Sequence, residues 1–92
     1  MATLHMEVEQ VRSTQSNIVN QQQQMTQTLQ AITNSVNSTV GTAWIGQSSN
    51  EFQQQYDQLR SSITQQLDQL EQLAQRLSSE IAEWEQMASR LA

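Results

Sequence analysis

Apolar side chains recur every seven residues along most of this 92-residue chain. In the first half, one register holds Leu4, Val11, Ile18, Met25 and Ile32, and a second holds Val8, Gln15, Gln22, Leu29, Val36 and Ala43. Steps between them alternate three and four, so the side chains fall on one helical stripe. A strict seven-residue repeat winds such a helix left-handedly about a neighbour. The pattern predicts helix one over about 4–40.

The second half is richer. Tyr56, Ile63, Leu70, Leu77, Trp84 and Leu91 form an unbroken register. Phe52, Leu59, Leu73 and Met87 form another, interrupted by Gln66 and Glu80, and Leu67, Ala74, Ile81 and Ala88 form a third. Two registers suit one neighbouring helix, whereas three make a face wide enough for two. Helix two, expected over about 48–90, should therefore touch helix one and something outside the hairpin. The residues expected at these two interfaces are Val11, Ile18, Met25, Leu29, Ile32 and Val36, with Tyr56, Ile63, Leu67, Leu70, Leu77, Ile81 and Trp84.

Between the arms lie the only glycines, Gly41 and Gly46, in a chain with no proline. Glycine reaches the backbone angles that end a helix, so a turn is expected over about 41–47. Ser48-Ser49-Asn50-Glu51 fits a capping box, with Ser48 as N-cap and Glu51 reaching back. So short a turn makes the arms antiparallel. The expected fold is all-α: a two-helix antiparallel hairpin, one domain over residues 1–92, with arms about 55 Å long at 1.5 Å per residue. A lone hairpin cannot bury a core from both sides, and small domains are already marginal. Two hairpins closing into a four-helix bundle would supply the missing cover.

Within the heptads, Gln15, Gln22 and Gln66 take positions normally apolar. A turn near residue 45 sets Gln22 opposite residues 66–68. Gln22 and Gln66 are expected to be partly buried, their amides bonded to each other or to those of a partner. Apolar spacing runs through Gln21-Gln22-Gln23-Gln24 from Ile18 to Met25, so this stretch also reads as helix.

Charge narrows the function classes. The net charge is −5 and there is no lysine, which argues against nucleic acid and against charge-driven binding to anionic membranes. Charged residues make up 14%, against roughly 25% in ordinary domains, so ladders of interhelical ion pairs do not select the partner. Glu80, Glu83 and Glu85 gather near Glu7 and Glu9 at one pole, where a solvated face is the ordinary reading. Without cysteine there is no disulfide or thiol chemistry. His5 is the single histidine and has no nucleophile or ligand constellation beside it. No enzyme, cofactor or metal is expected. Met1-Ala2-Thr3-Leu4-His5 lacks the basic and apolar regions of a cleaved signal peptide, and no apolar run approaches the ~18 residues of a membrane span.

Trp44-Ile45-Gly46 stands at mid-chain, with Phe52 eight residues after the tryptophan, Leu59 seven later, and the small Ser48 and Ser49 between. This arrangement resembles the WXG family, the early-secreted-antigen-like helical hairpins of about one hundred residues, and the likeness covers the whole chain. It implies antiparallel hairpins that dimerise into four-helix bundles. It also implies export in the folded state by type VII secretion systems of bacteria, as substrates and often as co-export partners of larger proteins. Carried over, Trp44 and Gly46 are the turn motif, and Phe52 and Leu59 the motif of the second helix. The implied partners are a second copy or a related hairpin, the export ATPase and a larger co-secreted effector. The implied destination is outside the cell, after synthesis in the bacterial cytoplasm and without a cleaved signal peptide.

One departure stands out. The Tyr-Xaa-Xaa-Xaa-Asp/Glu export signal of many relatives is missing, because Tyr56 is followed at that spacing by Arg60. A looser terminal pattern is met by Ile81, Glu85, Ala88 and Ala92, as almost any amphipathic helix end would meet it. Two other functions remain open on sequence alone: a helical adaptor that binds a partner helix and is never exported, and a membrane-active secreted effector. A neighbouring FtsK-like export ATPase gene would favour secretion.

Overall fold

The computed structural model describes residues 4–91. They form two helices, α1 (Val8–Thr39) and α2 (Gln47–Leu91), joined by a turn. Arg12 pairs with Glu85 at one end, and Thr33 bonds Tyr56 towards the other, so the helices run antiparallel. The fold is an all-α hairpin, a rod of 69 × 23 × 16 Å. Its length is that of α2 itself, since 45 residues at 1.5 Å each span about 68 Å.

Both helices hold their polar surfaces by local bonds. In α1 the hydroxyls of Thr26, Thr33 and Ser38 donate to the carbonyls of Gln22, Leu29 and Asn34 at 2.9, 2.9 and 2.7 Å. Such back-bonding satisfies side chains that would otherwise compete with the helix. In α2 the amides of Gln53 and Gln72 donate to Asp57 and Asp68 at 3.0 and 3.1 Å. Contacts four residues apart contribute a few tenths of a kcal/mol each, about 0.2–0.5.

The start of α1 and the cap of α2 differ from expectation. α1 starts at Val8, not near residue 4, with Glu7 as an N-cap that makes no side-chain bond. α2 starts at Gln47, and the capping box on Ser48 is not made. Instead Gly46 precedes the helix, its carbonyl accepting the Asn50 N–H at 3.2 Å and the Ser49 hydroxyl at 2.8 Å. Glu51 accepts from the Gln47 amide at 3.3 Å rather than reaching back to Ser48.

The core is a narrow seam. From α2 it takes Leu67, Ala74 and Ile81, all buried. Ala74, 2% exposed, lacks the bulk to hold the helices apart and faces Gln15, Val19 and Gln22 across a shallow cleft. From α1 the seam takes buried Thr33, flanked by half-buried Leu29 and Val36. Of the three registers on α2, the one through Leu67 lies inside, the one through Tyr56 and Leu70 lies half-buried at the flank, and the one through Leu59 and Leu73 faces outward. The hairpin exposes 7230 Å², where a compact monomer of 10.5 kDa exposes about 5,400 Å².

Candidate functional site

Among the described residues, no three His, Asp or Glu side chains gather to hold a metal ion, and no helix is long and apolar enough to cross a membrane.

One broad face of the rod is apolar. Met25 on α1 and Ile63, Gln66, Leu70 and Leu73 on α2 line a cleft at its middle. Ile18, Leu73 and Leu77 continue it towards the termini, with Arg76 and Glu80 at the rim. Leu4, Met6, Trp84 and Met87 finish it at the terminal pole. Leu59 and Leu73, at 57% and 53%, are among the most exposed large apolar side chains. The opposite face is polar: Thr26, Gln30, Arg60, Ser61, Thr64 and Gln65 line one of its clefts, and Gln15, Gln22, Gln23 and Gln75 another. The chain carries no charged residue from Ser13 to Asn50, so α1 beyond Arg12 and the whole turn are uncharged.

The turn pole is built on backbone geometry. Gly41 (φ +89°) and Gly46 (φ +148°) both take the left-handed half of backbone space, which side chains with a Cβ rarely adopt. A Cβ at either glycine would meet nothing within 4 Å, so conformation and not close approach requires them. Between them the Gly41 N–H donates to the Trp44 carbonyl, and the Trp44 N–H to the Thr39 carbonyl, each at 2.9 Å. These bonds present Trp44 on the rim, where its ring meets Phe52 at 5.5 Å between centroids in a tilted pair. Both rings keep about two-fifths of their surface exposed, and Ile45 beside them is 77% exposed.

At the terminal pole Arg12 reaches Glu85 across the hairpin and lies 3.8 Å from Glu9. Of the weak export pattern, Ile81 is buried in the seam, Glu85 is held by Arg12, Ala88 is exposed, and Ala92 lies outside the described residues.

The expected interface residues separate into two groups. Leu67 and Ile81 are buried between α1 and α2, with Leu29, Val36, Tyr56, Ile63, Leu70, Leu77 and Trp84 half-buried around them. Met25 and Ile32 remain exposed, and Val11 and Ile18 are half-buried at the edge. The expected Gln22–Gln66 layer does not form within the hairpin. Gln22 is half-buried beside Ala74 on the polar face, whereas Gln66 is exposed on the apolar one. Sequence reasoning missed Thr33, whose register (Arg12, Val19, Thr26, Val40) is too polar for an apolar count to find. It also missed Ile45 as an exposed apolar side chain of the turn, 77% exposed; an isoleucine between turn glycines was the available signal.

The family model described as proteins of 100 residues with WXG matches residues 3–87. No curated protein and no solved structure matches the chain. A match of that extent, centred on the turn that displays Trp44, makes the chain a member of the WXG100 family.

Proposed function

We propose that two copies of this hairpin pair through the apolar face and that the folded pair is exported by a type VII secretion system. It serves there as a substrate and as an escort for a larger co-secreted effector. Family membership supports the secretion-substrate class. The observation that carries the pairing is the one-sided apolar face spanning both helices. A stable specific interface removes about 800 Å² from each partner, and the hairpin exposes well over that amount beyond what a monomer of its mass exposes. The exporter's part falls to the turn pole, where the Trp44 ring packs on Phe52 and stays 40% exposed. Action through surfaces rather than bond chemistry fits a chain whose carboxylates line solvent.

Secretion tests this reading. The protein should accumulate in culture medium when the FtsK-like ATPase of the host is intact and stay in the cells when that ATPase is inactivated. Equal amounts in the medium of both strains would refute type VII export, and retention in both would favour an adaptor that never leaves.

A further inference from the structure

Given the pairing proposed above, on which this rests, we infer that Met25 is an oxidation site that controls it. Hydrogen peroxide turns the exposed thioether of the single hairpin into a sulfoxide, and the sulfoxide keeps two hairpins apart.

The chain has four methionines and no cysteine, so no thiol intercepts an oxidant before a thioether does. Met1 lies outside the described residues. Met6 and Met87 are half-buried in the cleft beside Trp84 at the terminal pole. Met25 is 44% exposed, the one exposed methionine among the described residues. Peroxide must reach the sulfur to react, so Met25 is oxidised first.

Its place gives that chemistry a consequence. Met25 comes midway along α1 and lines the central cleft of the apolar face with Ile63, Leu67, Leu70 and Leu73. In the reaction a lone pair of the Met25 Sδ attacks one peroxide oxygen and the O–O bond breaks. The departing hydroxide takes the proton of the transferred oxygen and leaves as water. Sulfur is oxidised and the peroxide is reduced. A flexible apolar side chain becomes a polar one.

In a single hairpin, water and the Gln66 and Gln69 amides of the same cleft are at hand to solvate the new oxygen. Pairing removes that water and sets the oxygen against apolar side chains of the second copy. Each sulfoxide therefore weakens the pair about tenfold or more, and two copies bring two sulfoxides to one interface. The control runs in both directions. Pairing covers Met25, so oxidation slows as rising protein concentration fills the paired state.

Peroxide treatment of the full chain tests this. Peptide mass mapping should find the first added oxygen on Met25, arriving more slowly at a concentration where the chain is paired than where it is dilute. At the higher concentration, light scattering should return twice the chain mass before oxidation and the single-chain mass after it, with helix content preserved. A methionine sulfoxide reductase should restore the pair. Met25→Leu keeps the apolar character and nearly the volume; it should stay paired after the same dose, which separates Met25 from Met6 and Met87. Oxidation falling first on Met6 or Met87, equal rates at both concentrations, or an oxidised chain that pairs as tightly as the native one would each overturn the inference and leave the pairing standing. An unoxidised native chain that is a helical monomer would overturn the pairing itself.

Discussion

The hydroxyls of Thr33 and Tyr56 lie 2.6 Å apart across the hairpin, joining α1 to α2 near the turn. Thr33 also bonds the Leu29 carbonyl, so it keeps one partner if the tyrosine is removed. Tyr56→Phe should therefore cost about 1 kcal/mol, roughly 4–8 °C in melting temperature. Thr33→Val should cost at least as much, because it leaves the Tyr56 hydroxyl without its partner. A double-mutant cycle read by thermal denaturation checks this; fully additive losses would show that the two hydroxyls do not interact.

The partition of α2 separates folding from association. Leu67 and Ile81 are buried within one hairpin, so Leu67→Glu or Ile81→Glu buries an unpaired charge and should unfold the chain, at about 3–5 kcal/mol. Circular dichroism should show helix lost at ambient temperature. A folded, fully helical Leu67→Glu variant would mean that this register faces outward.

The turn glycines should differ in what they require. At φ +148°, Gly46 occupies a region close to glycine-only, and Gly46→Ala should cost about 1–3 kcal/mol. Gly41, at φ +89°, lies nearer the left-handed helical region, where the cost is about 1–2 kcal/mol. Neither added methyl meets a neighbour, so helix content should be retained below the transition. Gly46→Ala melting at the native temperature would show that the turn relaxes without strain.

Trp44→Ala removes a ring whose exposed part is free for recognition and whose buried part packs on Phe52. Export should fall further than helix content does. If ellipticity and secreted protein drop in step, the ring serves packing alone.

The hairpin was legible in the sequence because unbroken heptads and two lone glycines leave little else to build. Rotation of α2 about its axis was not. Three adjacent registers are all apolar, and spacing cannot say which one turns inward. The small side chain of Ala74 decides it by allowing close approach beside Leu67 and Ile81. The start of α2 was legible to within a residue, but its cap was not, since a glycine carbonyl with Ser49 bonded to it can open a helix as well as a serine side chain can. Gln22 and Gln66 do not bond each other within one hairpin for the same rotational reason: the two amides line separate clefts of the rod.

The most direct test of the paired hairpin is its mass in solution. Light scattering at micromolar concentration should return twice the chain mass for the native protein. For Leu73→Glu, which charges the outward register without touching the seam, it should return the single-chain mass with helix content preserved. A native protein that is a stable, fully helical monomer would contradict the account.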